Sequence, residues 1–142
     1  MTLKQLINRI GQMAIDQKII NYSAAGGSIA QINPISVEWY ALLFITPSGS
    51  HDIDDATTTY TLTLTFIDRL LEDNSNDIDI YSSSIEGLKN IILGIRMIDG
   101  VLDVQTSYQI QNFTDTESLN DRVSGSYATI RVVTSNEDCF VE

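Results

Sequence analysis

Residues that can take part in chemistry are concentrated in one acidic stretch near the middle of the chain, His51-Asp52-Ile53-Asp54-Asp55. It places the only histidine of the sequence among three carboxylates, and imidazole and carboxylate groups are ligands of divalent metals. The donors are consecutive, however, and no second donor cluster with regular ligand spacing accompanies them. The pattern therefore favours a solvated acidic loop, and we expect neither a metal site nor a bound cofactor.

A second acidic stretch imitates the beginning of a calcium-binding loop, with oxygen-bearing side chains at alternate positions: Asp73, Ser75, Asp77 and Asp79. The calcium loop requires glycine at its sixth position and glutamate at its twelfth. In this chain those positions hold Ile78 and Ser84. The stretch is therefore not an EF-hand, and a polar turn is the simpler interpretation.

The counts of reactive residues argue against catalysis. His51 is the only histidine and Cys139 the only cysteine, so a Ser-His-Asp or Cys-His mechanism would have to use His51. A single cysteine also excludes an intrachain disulfide and a thiolate zinc cluster. Carboxylate pairs of the kind that glycosidases use are numerous, but nothing in the sequence selects one of them. We expect a protein that is not an enzyme.

The charge balance is strongly acidic, with 19 Asp and Glu against 8 Lys and Arg and a net charge of −11. Tight binding of nucleic acid requires clustered basic residues that displace counterions from phosphates. The basic residues of this chain are scattered singly: Lys4, Arg9, Lys18, Arg69, Lys89, Arg96, Arg122 and Arg131. A sequence-reading nucleic-acid binder is disfavoured, whereas an acidic surface past which DNA slides is allowed.

Neither a membrane span nor a signal peptide is expected. The longest apolar runs, such as residues 41–45, are far shorter than the roughly 20 residues that a membrane-spanning helix needs. The N-terminus carries polar residues throughout its first turns and lacks the apolar core of a signal peptide. We therefore expect a protein that is made and used in a cytoplasm, or that leaves it by a route without a signal.

Hydrophobic periodicity indicates the elements that lead into the acidic loop. Apolar residues at helical spacing predict an amphipathic helix over residues 3–17, capped by Thr2, whose stripe packs on the protein's own sheet or on a neighbour. Residues 21–28 are small and suit a loop, and residues 29–33 suit a short edge strand. The apolar run 37–45 predicts a central strand that is covered on both faces and ends at residues 46–50. Residues 60–66 alternate large apolar side chains with threonine, which predicts a strand with one polar face.

The two long strands predict an antiparallel hairpin with a long, acidic and mobile loop over residues 46–59. Ser83 and Glu86 stand at capping-box spacing and predict the start of a second helix, which Asp99-Gly100 ends. A C-terminal hairpin is predicted for residues 108–113 and 127–133. The chain is therefore a single α+β domain over residues 1–142. Its N-terminal and mid-chain helices cover one face of an antiparallel or mixed sheet.

One face of the strand that follows the acidic loop carries a row of threonines: Thr59, Thr61, Thr63 and Thr65. A broad threonine face with few charges is typical of a flat subunit contact or a channel lining, although a plain solvent-exposed face is an open alternative. Together with the loop, this face is the predicted assembly interface. Its loop residues are His51, Asp52, Asp54 and Asp55.

The order of these elements resembles the small α+β subunits in the neck and tail of tailed bacteriophages, namely the tail terminator, tail completion and head–tail joining proteins. The resemblance covers nearly the whole chain, from the N-terminal helix through the acidic hairpin loop and the strand ending in Phe66-Ile67-Asp68-Arg69 to the C-terminal hairpin. Length and acidity match as well. Neck ring proteins of crAss-like phages have the same architecture.

The resemblance implies a virion structural protein that assembles in the host cytoplasm as a homo-oligomeric ring. Such a ring joins the head connector to the tail, contacts adjacent portal, connector and tail proteins, and lets DNA pass without specific binding. The alternative prediction is a soluble acidic module, such as an immunity protein or adaptor, that binds a basic partner. An unidentified hydrolase comes third.

Overall fold

The computed structural model describes residues 1–27, 40–47, 50–70, 75–105, 109–115 and 123–136. Within these residues the fold is an α+β arrangement of two helices and a seven-stranded mixed sheet. The helices are α1 (Leu3–Asp16) and α2 (Asp77–Ile95). The strands are β1 (Tyr22–Ala25), β2 (Leu42–Pro47), β3 (Asp52–Ile53), β4 (Thr57–Arg69), β5 (Val101–Val104), β6 (Ile110–Asp115) and β7 (Val123–Ser135). The predicted fold class is confirmed.

Two long antiparallel strands form the centre of the sheet. β4 and β7 have 13 residues each and pair along their whole length, from Thr57 opposite Ser135 to Arg69 opposite Val123. Shorter strands continue the sheet on both sides. β2 and β3 lie along β4, and β5 and β6 lie along β7. β1 adds to β2 in parallel, which makes the sheet mixed.

Helix α1 is the element that the sequence predicted best. Thr2 accepts a hydrogen bond from the Gln5 amide, and the Gln5 side chain accepts one from the Thr2 amide, so a reciprocal capping box starts the helix. Its stripe of Leu6, Ile10 and Ala14 is buried in the main core. Of the two predicted alternatives, this stripe therefore packs on the protein's own sheet.

Helix α2 begins six residues before the predicted capping box, at Asp77. Asp77 and Asp79 lie in its first turn, where carboxylates are favourable because the amide dipoles point toward them. Ser83 is consequently an exposed residue inside the helix, so the prediction that the helix starts there is wrong. The helix also ends earlier than predicted, at Ile95, and a turn leads to Gly100, whose positive φ of 90° suits glycine.

Three further strand assignments differ from the sequence predictions. β1 lies where a loop was predicted. Its small residues let α1 approach closely: a Cβ on Gly11 would stand 2.4 Å from the Ser23 hydroxyl. β5 was not predicted, since four residues give almost no periodic signal. β2 is an interior strand as predicted, but it continues through Pro47. The predicted positions 29–33 and 37–39 lie outside the described residues.

The two faces of the sheet differ in what covers them. The main core contains side chains of both helices packed on alternate residues of β2, β4 and β7, such as Leu62, Leu64 and Ile130. A second, smaller cluster on the opposite face contains no helix residue, and its buried members are Leu42, Phe44, Ile67 and Val123. We call this opposite side the far face. Both described helices therefore lie on one side of the sheet, as predicted.

Candidate functional site

The predicted threonine row lies on the far face, in the half of β4 that follows the acidic loop. Thr59, Thr61 and Thr63 are partly buried, whereas Thr65 is only 9% exposed. Thr65 stands between Phe44 of β2 and Tyr127 of β7, so large neighbours cover it from both sides. The structure thus places the four threonines on one face, but only three of them contribute to its accessible surface.

The accessible threonines belong to a polar surface that β7 completes. Thr129 stands opposite Thr63, and their hydroxyl oxygens lie 3.0 Å apart, within hydrogen-bond distance. Arg131 stands opposite Thr61 and points to the same side of the sheet. In a hydroxyl pair of this kind one hydroxyl donates to the other across the ladder, so part of its hydrogen bonding remains satisfied when the surface loses water.

An ion pair connects the acidic loop to this surface. The Asp52 carboxylate accepts a hydrogen bond from Nη2 of Arg131, although β4 lies between their two strands. The Nε atom of Arg131 is buried without a hydrogen-bond partner among the described residues. Arg131 was not among the predicted site residues. The available signal was its position in the alternation of β7, which puts it on the far face with Tyr127 and Thr129.

His51 is held on the helix side of the sheet. Its Nδ1 atom accepts a hydrogen bond of 3.2 Å from the Thr61 amide, and its ring meets the Tyr60 ring edge-on at 5.6 Å. The Tyr60 hydroxyl in turn donates to the Met1 carbonyl at 3.0 Å. His51 therefore bridges the loop to β4 and the N-terminus, and it does not join Asp52 on the far face.

Asp54 organises the turn between β3 and β4. Its carboxylate accepts hydrogen bonds from the amides of Ala56 at 2.8 Å and Thr57 at 3.0 Å. The amide of Ala56, followed by that of Thr57, lowers the pKa of Asp54 below its ordinary value, because both bonds favour the charged form. This is an Asx-type turn, in which the side chain replaces a backbone acceptor.

The end of β7 supports the same turn. Asn136 donates its side-chain amide to the Asp54 carbonyl at 2.9 Å and its backbone amide to the Ala56 carbonyl at 3.0 Å. Its side-chain oxygen accepts from the Thr58 hydroxyl at 2.7 Å. Residues 52–57, which we call the tip, are thus tied to two other strands. A mobile loop was predicted here, but the described part of it is a short strand and a hydrogen-bonded turn; residues 48–49 lie outside the described part.

Residues 52–56 of the tip are all exposed, and two of them matter for binding. Ile53 is 78% exposed although it lies in a paired strand, and Asp55 is exposed at the turn. Asp55 is one of the predicted interface residues, whereas Ile53 is not. A lone isoleucine inside an acidic loop was the signal for it, because a solvated loop gives an apolar side chain nothing to pack against.

A separate cluster of hydroxyl groups joins α2 to β6 and β7. Ser84 and Ser126 are fully buried with their oxygens 2.7 Å apart, and Ser126 donates to the Asn112 side chain at 2.7 Å. A parallel chain runs from the Tyr81 hydroxyl through Thr114 to Ser124. The partners are hydroxyl, amide and carbonyl groups, with no imidazole or carboxylate that could take a proton from serine. The cluster therefore has a structural role, which is to hold α2 against β6 and β7.

Within the described ranges, no three His, Cys, Asp or Glu side chains are grouped so that they could hold a metal ion. The possible metal ligands of the acidic loop do not converge on one point. His51 lies on the helix side, Asp52 is paired with Arg131, and Asp54 binds backbone amides. The predicted calcium-like stretch begins at Asp73, which lies outside the described residues, and Asp77 and Asp79 belong to α2.

Among the helices of the described residues, none is long and apolar enough to cross a membrane. The sequence matches no model of a known protein family. A comparison with curated proteins found no relative either.

Proposed function

We propose that the chain is a structural subunit that assembles with copies of itself into a ring. In particular, we propose a virion protein of the phage neck or tail, joining the head connector to the tail around the DNA path. The observation that carries the proposal is the far face. It is a broad strand surface whose accessible groups, Thr61, Thr63, Thr129 and Arg131, include a hydroxyl pair and an ion-paired arginine.

Such a surface suits subunit contact for a physical reason. A polar group that enters an interface without a partner costs about 1–3 kcal/mol, whereas a group that already has its partner keeps it. The Thr63–Thr129 hydroxyl pair and the ion pair between Asp52 and Nη2 of Arg131 are such prepaired groups. The acidic net charge of −11 keeps separate subunits soluble and repels the phosphates of passing DNA.

The oligomeric state of the purified protein tests the proposal. We expect sedimentation velocity and electron microscopy to show closed oligomers, at high concentration or after addition of a portal-side or tail-side virion protein. A chain that stays monomeric over the accessible concentration range and does not co-sediment with any virion component contradicts it.

The same measurement separates the ring from the acidic binding module. An adaptor or immunity protein forms a complex of fixed stoichiometry with a basic partner and does not associate with itself. A stable one-to-one complex with such a partner, formed by a chain that is monomeric alone, would therefore favour the module.

A further inference from the structure

We propose that the tip of one subunit docks into a groove between α1 and β1 of a second copy of this chain. The inference rests on the proposed assembly function and deepens it, because it names two surfaces that meet in addition to the far face. A contact between different surfaces of identical subunits is head-to-tail, and repetition of such a contact closes a ring when the rotation permits.

The groove is a defined feature of the fold. Its volume is about 300 Å³, and its apolar walls are Ile7, Gly11 and Ile15 of α1 with Ala24 and Ala25 of β1. This volume is about ten times the roughly 30 Å³ that a water molecule occupies in the liquid. At Gly11 the helix lies directly against β1, where the Ser23 hydroxyl leaves no room for a Cβ, and the groove runs along this contact. The groove is therefore large enough for an aliphatic side chain of a partner.

The groove lies beside a locally basic part of a strongly acidic chain. Lys4, Arg9 and Lys18 lie on α1 or directly after it, against the single carboxylate Asp16. Lys4 stands one helical turn before Ile7, and Lys18 follows the end of α1 with a positive φ of 61°, so the lysines lie near the groove and do not line it. Both lysines are exposed, and neither pairs with a carboxylate of the described residues. A partner for this surface is therefore apolar in the middle and acidic at the edge.

The tip has that composition. Ile53 is 78% exposed, and the neighbouring Asp54 and Asp55 are exposed carboxylates. The described part of the chain gives Asp55 no ion pair, while Asp54 keeps lone pairs beyond those that bind the turn amides. Ile53 would enter the groove, and Asp54 and Asp55 would meet Lys4 or Lys18.

The tip is also prepared for binding before it meets a partner. Its shape is fixed by the pairing of β3 with β4, by the two amide bonds to Asp54 and by the three hydrogen bonds of Asn136. A segment that is already ordered loses little conformational entropy when it binds. The same bonds hold the tip to its own β4 and β7, so the partner that it fits is a second copy.

Two variants test the contact, one on each surface. Ile53→Asp replaces the apolar side chain at the tip, and the double change Lys4→Glu with Asn8→Glu makes one end of the groove acidic at exposed positions. We expect each variant to weaken self-association at least tenfold, the order of loss typical of a central interface residue. Ile78→Asp, at another exposed isoleucine, and Lys89→Glu are the matched controls and should assemble like the wild type.

Mixing the two variants gives the decisive readout. The tip variant keeps an intact groove and the groove variant keeps an intact tip, so one contact forms between them and no second one follows. We expect heterodimers in sedimentation velocity from two proteins that are monomeric alone. Thermal melts identical to those of the wild type show that the variants are folded.

The outcomes separate this inference from the proposed function. If both variants form oligomers of wild-type size and affinity, the tip–groove contact is wrong while assembly itself stands. If the wild type never associates, both are wrong. A mixture that stays monomeric while each variant alone has lost association also contradicts the head-to-tail contact.

Discussion

Ser84 of α2 and Ser126 of β7 place their hydroxyl oxygens 2.7 Å apart at a point where both side chains are fully buried. Ser126 also donates to the Asn112 side chain at 2.7 Å, and Ser84 donates to the Tyr81 carbonyl at 3.1 Å, so the two hydroxyls belong to one buried network. Hydrogen bonds within such a network strengthen one another at low dielectric. The middle of α2 is thus joined to the sheet by polar side chains, whereas Leu88, Ile92 and Ile95 join it through apolar contacts.

The serine pair predicts a coupled loss of stability. Ser84→Ala and Ser126→Ala should each lower the free energy of unfolding by about 1 kcal/mol, and the double variant should lose less than the sum. Urea unfolding measures all three. Ser83→Ala is the matched control, since Ser83 is exposed inside α2 and alanine favours a helix. A large loss at Ser83 would instead support a helix start at that residue.

Any side chain at position 125 should clash severely with the neighbouring strand. A Cβ at this position would lie 1.8 Å from the backbone oxygen of Phe66, which the neighbouring strand holds in place. We expect Gly125→Ala to cost about 3 kcal/mol or more, or to prevent folding. Gly27→Ala is the control, because a Cβ there meets no atom within 4 Å. Equal melting temperatures for the two variants would contradict the close approach of β4 and β7.

Replacing Asp68 by asparagine should stabilise the fold in a pH-dependent way. Burial raises the pKa of Asp68, against a smaller opposing effect of its hydrogen bond from the Arg69 amide. Its charge therefore destabilises the fold at neutral pH, and this penalty disappears as the pH falls from the raised pKa to the unfolded value of about 3.9. We expect Asp68→Asn to raise the melting temperature at neutral pH and to have no effect below that value. A gain that persists in acid would point to another cause.

The charge of Asp54, unlike that of Asp68, stabilises the structure around it, and its removal should loosen the tip. The pKa of Asp54 is lowered in the fold, so its stabilising effect is present above the unfolded value of about 3.9 and is lost as the pH falls through the lowered value. Asp54→Ala should expose the amides of Ala56 and Thr57 to hydrogen exchange at neutral pH. Asp55→Ala should leave both amides protected. Unchanged exchange in the Asp54 variant would refute the turn.

Local periodicity accounts for what the sequence could predict. Leu6, Ile10 and Ala14 repeat at helical spacing, and the threonines of β4 alternate with large apolar residues, so α1 and β4 were predicted with the correct faces. The start of α2 was wrong because Ser83 fits a capping box equally well in sequence, and only the packing of Ile80 reveals the extra turn.

The candidate site depended on contacts that no local pattern contains. Asp52 and Arg131 are 79 positions apart, and the side chain of Asn136 reaches the Asp54 carbonyl over 82 positions. Both contacts depend on the register between β4 and β7, which is set by the whole ladder. The acidic loop and the threonine face were therefore recognisable as surfaces, while the rigidity of the tip and the role of Arg131 were not.

The central ladder also dictates the order of events during synthesis. Thr63 and Thr129 are 66 positions apart, so β4 cannot find its main partner until α2, β5 and β6 have been made. Closing so long a segment is entropically costly, and folds dominated by such distant pairings form in milliseconds to seconds rather than microseconds. A nascent chain that ends before β7 exposes the edge of β4 that β7 later covers, and β4 is rich in residues that favour intermolecular strands. Ribosome pausing ahead of Val123 should therefore increase co-translational aggregation, and chaperone binding to that stretch should suppress it.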